Sequence, residues 1–175
     1  MELQYERVYE SISGGWVDLH PLHGADELPE NLEACIVIAD HGISVELLPC
    51  LPANELVLRQ QFLPDVFGNK NPDVRINKLL IGDIKTLSER KAVRKATINN
   101  AINTAASQRV EVVILNLINR QYAVQDIKKG IVGALQPERN RSIRFVWIIT
   151  RSRNLFMIDR EKVFDDSIYE ALNYL

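Results

Sequence analysis

The sequence predicts an α/β fold, a three-layer sandwich with helices on two sides of a central mixed sheet. Three observations carry this. The chain has 175 residues, 46% hydrophobic and 25% charged, which is the size and composition of one ordinary globular domain with a sizeable core. Helix-period and strand-period segments alternate in the order α-β-β-β-α-β-α-β-β-α. One strand, Val110 to Leu117, is an apolar run with β-branched residues, broken only by Glu111 and Asn116, as expected of a central strand in such a sheet.

Each element has its own local signal. Residues 1–26, with Gly14-Gly15, Pro21 and Gly24, read as a strand-poor lead segment. A helix starts near Glu27 to Glu30, helped by Pro29, and stops at Gly42. Ile43 to Leu51 alternates as a strand, and 52–71 reads as a connector. Asp73 to Ile76 and Leu79 to Leu87 form a hairpin around Asn77-Lys78. Ser88 is a good N-cap for a helix with the stripe Val93, Ile98, Ala101, Ile102 and Ala105. A helix over Val124 to Leu135, strands over Ile143 to Thr150 and Leu155 to Ile158, and a helix from Glu161 to Leu172 complete the chain. The expected organisation is a single domain: a lead segment, a core over about 27–150, and a C-terminal strand and helix over 151–175.

Composition excludes several classes. No apolar run is long enough to span a bilayer, and the N-terminus lacks the pattern of a signal peptide. Cys35 and Cys50 alone cannot make a disulfide framework or a four-ligand zinc site, and both read as buried thiols. Net charge is -2, yet residues 1–87 carry 14 acids and 6 bases while residues 88–175 carry 9 and 15. An acidic half joined to a basic half suits a metal site beside a polyanion-binding surface, and it also arises from charges scattered on solvated faces.

The chemically informative stretch is Asn71 to Lys85. Strand alternation puts Asp83 and Lys85 on one face. Asp73 joins them only if it lies opposite Asp83, which needs a three-residue loop, Asn77 to Leu79, or an equivalent bulge. A two-residue turn would put Asp73 opposite Gly82, pointing away. In the first register two carboxylates meet, and such a pair calls for a cation between them. Mg²⁺ (or Mn²⁺) suits all-oxygen ligation by one or two carboxylates, with phosphate and water completing the shell. The Ile84 carbonyl offers a further oxygen. Lys85 would orient the attacking water or stabilise the charge of a phosphodiester transition state. The plain alternative is an edge hairpin with surface charges.

Pro72-Asp73 and Asp83-Ile84-Lys85 resemble the signature of the PD-(D/E)xK nuclease superfamily. Glu30-Asn31 through Gly42, the run Val45 to Pro49 and the segment Gln108 to Leu117 resemble, more narrowly, the C-terminal nuclease domains of CdiA-type contact-dependent growth inhibition toxins. Related domains occur in phage head-associated and other mobile-element proteins. The resemblance covers about residues 20–150 and departs at Asp83, where glutamate is commoner. It implies a restriction-endonuclease-like sandwich and a tRNA or DNA endonuclease. It further implies a cognate immunity protein and delivery as part of a larger effector that acts in the cytoplasm. It also implies an acid from the first helix, Glu30 or Glu33, with Glu30 preferred as a metal ligand. Gln108 would contact the metal water or the scissile phosphate.

Further readings concern binding. Arg90 and Arg94, with Lys91 and Lys95, fall at i, i+4 and would form a basic first helical turn facing substrate phosphate. Arg139, Arg141, Arg144, Arg151 and Arg153 form a second basic stretch suited to a nucleic-acid backbone or to protecting a sheet edge. His20-x-x-His23 reads as a pair of exposed loop histidines, and His41 as a cation at a helix C-terminus. Two rivals to the toxin nuclease stand: a non-enzymatic nucleic-acid-binding or phage head-associated module on a degenerate nuclease fold, and a dimeric repair- or restriction-type nuclease. The hairpin register separates the first rival from an enzyme.

Overall fold

The computed structural model describes residues 3–88 and 91–175. Its fold is mixed α/β: eight strands neighbour one another in chain order, with parallel and antiparallel pairs. The chain forms two compact units, one ending at Asp83 and one starting at Ile84. Strand β5 (Leu80–Thr86) contributes to both. The charge imbalance follows this boundary, since residues 1–83 carry 14 acids and 5 bases and residues 84–175 carry 9 and 16.

The first unit opens with two strands where sequence reasoning expected few. β1 (Glu6–Glu10) and β2 (Trp16–Leu19) pair antiparallel, with a bulge between Arg7 and Tyr9. β1 is a charged edge strand with no apolar alternation to betray it. It is held by Arg7, which pairs with Asp18 at 2.5 Å and lies over the Trp16 ring. Gly15 is required at the start of β2, because a Cβ there would sit 2.2 Å from the Ala39 carbonyl oxygen. α1 (Leu28–Asp40) forms as expected, with Pro29 in its first turn. It buries Ala34, Cys35, Val37, Ile38 and Ala39, and it packs on β2 and β3.

β3 (Val45–Leu47) runs parallel to β2 and antiparallel to β4 (Val74–Ile76). The expected connector contains a seven-residue helix, α2 (Leu56–Phe62). Its buried residues are Arg59 and Phe62, so an arginine takes the place of an apolar stripe and the helical period is invisible. Cys50 is exposed, correcting the expectation of a second buried thiol, whereas Cys35 is buried.

The second unit begins with the last residues of β5. The helix expected from Ser88 starts instead at Lys95: α3 spans Lys95–Ala106 with Arg94 as its extended N-cap. Val93 forms a parallel bridge with Tyr122 and donates its N–H to the Gln121 carbonyl at 2.9 Å. That pairing keeps the backbone extended and overrides the capping preference of Ser88. β6 (Val112–Asn116) is fully buried and pairs parallel with β7 (Phe145–Ile149). β7 pairs antiparallel with β8 (Leu155–Asp159), and α4 (Val124–Ala134) packs against α3. The last helix is broken into a 3-10 turn (Arg160–Val163) and a short α5 (Ile168–Ala171). Between them Asp166 adopts φ 62°, which a continuous helix cannot accommodate.

Candidate functional site

The β4–β5 hairpin decides the site. Its ladder pairs Val74 with Gly82, Arg75 with Ile81 and Ile76 with Leu80, leaving Asn77, Lys78 and Leu79 as a three-residue loop. Asn77 and Lys78 both have positive φ (48° and 58°), and the Leu79 N–H donates to the Ile76 carbonyl at 2.9 Å. This is the geometry of a type I′ turn, with Leu79 as the extra residue. One step further along the same register, Asp73 comes opposite Asp83. Directly opposed residues in an antiparallel pair present their side chains to the same face.

Both carboxylates are buried: Asp73 is 9% and Asp83 3% exposed. Each has an interacting neighbour. The Asp83 Oδ2 atom accepts no hydrogen bond among the described residues. Lys85 lies two residues beyond Asp83 in β5 and is half-buried, so alternation gives it the face of Asp83.

The approach to Asp73 is rigidly held by residues that sequence reasoning missed. Asn71 Oδ1 accepts from the Leu51 N–H at 3.2 Å, and its Nδ2 donates to the Leu51 carbonyl at 3.1 Å. Buried Arg59 donates to the Leu51 carbonyl, to Asn71 Oδ1 and to the carbonyls of Gly68 and Lys70. The Leu48 N–H donates to the Asp73 carbonyl at 2.8 Å. Asn71 beside Pro72 was the available signal for this clamp. A buried arginine on a seven-residue helix offered none.

Arg75 shares the face of Asp83, because it is opposite Ile81. Its guanidinium is committed elsewhere, to Asp65 (2.5 and 2.8 Å), Glu46 (2.8 Å) and the Phe62 carbonyl. The hydrogen bonds from Arg75 hold the Asp65 carboxyl below its ordinary range. Burial tends to lower the Arg75 pKa, but its bonds to Asp65 and Glu46 raise it overall. Burial pushes the Tyr5 phenol up to about 12, with Arg75 opposing part of the rise.

The loop histidines His20 and His23 are not exposed. His20 is fully buried, packed edge-on against Tyr5 and Phe62. Its Nδ1 accepts from the Leu22 N–H at 3.1 Å, so the neutral ring carries its proton on Nε2. Burial, then the neighbouring His23, lowers its pKa. His23 is half-buried and donates from Nδ1 to the Leu48 carbonyl. His41 caps α1 as its position suggested, donating from Nδ1 to the Val37 carbonyl at 2.7 Å.

Other expected site residues are dispersed. Glu30 is exposed in the first turn of α1, while Glu33 is half-buried. Among the described residues no three His, Cys, Asp or Glu side chains cluster as a metal cage, so Glu30 does not complete a three-carboxylate set with Asp73 and Asp83. Arg90 lies outside the described residues. Arg94 precedes α3 and Gln108 follows it, half-buried. The twelve residues of α3 make a rod of about 18 Å between them, so these two side chains cannot hold the same phosphate. Because α3 starts at Lys95, Arg94 stands as its extended N-cap and not within a basic first turn.

Most of the second basic stretch is engaged within its own unit. Arg139 donates to the Gly133 carbonyl at 2.7 Å, Arg141 pairs with Glu138, and Arg144 pairs with Glu111 at 2.9 Å.

No curated protein sequence matches the chain. A solved structure of the CdiA-CT/CdiI toxin and immunity complex from Burkholderia pseudomallei is similar over 79% of this chain and 91% of that one. Its TM-score is 0.54 and its identity 20%, a likeness of fold. Residues 70–155, from just before β4 to the first residue of β8, match the family model of the contact-dependent growth inhibition CdiA C-terminal domain.

Proposed function

We propose that this chain is a toxin-type, metal-dependent endonuclease that hydrolyses phosphodiester bonds in tRNA or DNA. The observation that supports it most is the hairpin register, which sets two buried carboxylates face to face on adjacent strands. Buried like charges need a cation or a proton between them, and two carboxylates with substrate and water oxygens are the donor set that Mg²⁺ or Mn²⁺ accepts. Asp73 and Asp83 would hold the ion, and Glu30 stands outside that set. The ion, when bound, supplies Lewis-acid stabilisation of phosphoryl charge and a more acidic water. Lys85, on the same face, would steady that water or the negative charge developing on the phosphate. The Arg59–Asn71 clamp, two residues before Asp73, supports that placement.

The family match over residues 70–155 supports a toxin domain carried on a larger delivered effector and neutralised by a cognate immunity protein. No helix among the described residues is long and apolar enough to cross a membrane. The test is incubation of the purified chain with tRNA, plasmid and single-stranded DNA, in Mg²⁺ and in EDTA. Cleavage in Mg²⁺ only is expected. Binding without cleavage of any of the three would favour the degenerate, non-enzymatic module.

A further inference from the structure

The second unit holds an open surface pocket of 360 Å³ lined by Val93, Arg94, Gln121, Tyr122, Asp126 and Arg151. The bridged segments around Val93 and Tyr122 build its walls, and each runs directly into a helix, α3 and α4. Arg151 enters from the turn between β7 and β8. Its Nε donates to the Arg120 carbonyl at 3.2 Å, which sets the direction of the guanidinium. The one acid among the described lining residues, Asp126, accepts the Lys95 N–H on Oδ1 at 3.2 Å and is thereby turned toward the start of α3. Among the described lining residues two arginines stand against one engaged carboxylate, a net positive charge, and the positive ends of both helix dipoles add to that field.

We propose that this pocket is a nucleotide subsite, taking one unpaired nucleotide of a nucleic-acid strand. The phosphate lies on Arg94 and Arg151, and the base lies against Tyr122 with Gln121 at its edge. Guanidinium groups match phosphate with paired, charge-assisted hydrogen bonds. The volume is within the roughly 300–1,000 Å³ range of small-ligand sites. An aromatic ring beside an arginine pair is the chemistry that recognises splayed-out bases, and a base stacked in a duplex has no free face to lay on Tyr122. The assignment rests on the nuclease reading only in taking its nucleotide from a substrate strand.

The test is titration of the purified chain with AMP and with inorganic phosphate in EDTA, followed by calorimetry. AMP should bind at one site and phosphate more weakly. Arg94→Ala and Arg151→Ala should each weaken AMP by roughly tenfold or more. Tyr122→Leu should weaken AMP but not phosphate, and Tyr122→Phe should restore AMP binding. Asp126→Asn, which keeps an acceptor for Lys95, should tighten phosphate. An RNA hairpin with an unpaired loop should compete with AMP better than a blunt duplex. Absence of AMP binding, unchanged binding in the Arg94→Ala/Arg151→Ala double variant, or equal competition by the duplex would overturn the subsite. If the hairpin RNA is not cut in Mg²⁺ while AMP binds with this pattern, the nuclease reading fails and the subsite stands. If it is cut with an unchanged KM in the double variant, the subsite fails alone.

Discussion

Replacing Asp83 by asparagine should stabilise the metal-free protein and abolish its response to metal. Opposed residues in an antiparallel pair have Cβ atoms about 4.5–5.5 Å apart. Two full charges about 5.5 Å apart repel by about 3 kcal/mol at an effective dielectric of roughly 20. The other interactions of Asp73 and Asp83 oppose part of this, so the expected gain is about 1–3 kcal/mol. Asparagine keeps the shape of the side chain and so opens no cavity. For a chain of this size each kcal/mol moves the Tm by about 2–4 °C, giving a rise of about 2–12 °C in EDTA. In the wild type, Mg²⁺ at about ten times its dissociation constant adds about 1.4 kcal/mol by mass action; in the variant it should add nothing. Thermal unfolding followed by circular dichroism, in EDTA and in Mg²⁺, reads all four states. A lower Tm for the variant in EDTA, or equal Mg²⁺ shifts in the two proteins, would refute the apposed-carboxylate reasoning.

Three further outcomes follow from local geometry. Lys78→Gly should raise stability by about 0.5–1 kcal/mol in urea unfolding, because Lys78 has φ 58°, where only glycine escapes the steric cost; a loss would mean the turn is not type I′. Gly130→Ala should destabilise by about 1–2 kcal/mol despite the better helix propensity of alanine, since the new Cβ would lie 2.5 Å from Ile98 Cβ; a gain would show that α3 and α4 separate easily. His20 is held neutral when folded, with its pKa lowered. Its contribution is therefore complete above about pH 6.5 and is lost as pH falls below that value, because the unfolded chain takes up the proton first. Urea midpoints measured from about pH 7.5 to about pH 5.5 should fall more steeply in the wild type than in His20→Gln, and equal slopes would contradict this.

Much of the fold was legible where burial and period agree. α1, β6 and α4 show apolar residues at their own spacing, and tertiary contacts only trimmed their ends. What stayed hidden was held together by polar groups. β1 depends on Arg7 and Asp18, α2 is anchored by Arg59, and the late start of α3 comes from a single bridge between Val93 and Tyr122. None of these leaves a periodic apolar trace. The hairpin was visible, but its register was not. Asn77-Lys78 lacks the glycine that would announce a type I′ turn, and the extra residue Leu79 decides which way Asp73 points. The arginines that seemed to form a binding surface are mostly engaged with carbonyls and acids of their own unit. Only a structure separates those from Arg94 and Arg151, which reach a common pocket.

Asp73 and Asp83 together should hold one divalent cation. Titration of the metal-free chain with Mn²⁺, with free ion followed by electron paramagnetic resonance, measures this without a substrate. One Mn²⁺ should bind per chain, be displaced by Mg²⁺, and be lost in both Asp73→Asn and Asp83→Asn while Glu30→Gln retains it. Absence of binding by the wild type, or equal binding by the two aspartate variants, would contradict it.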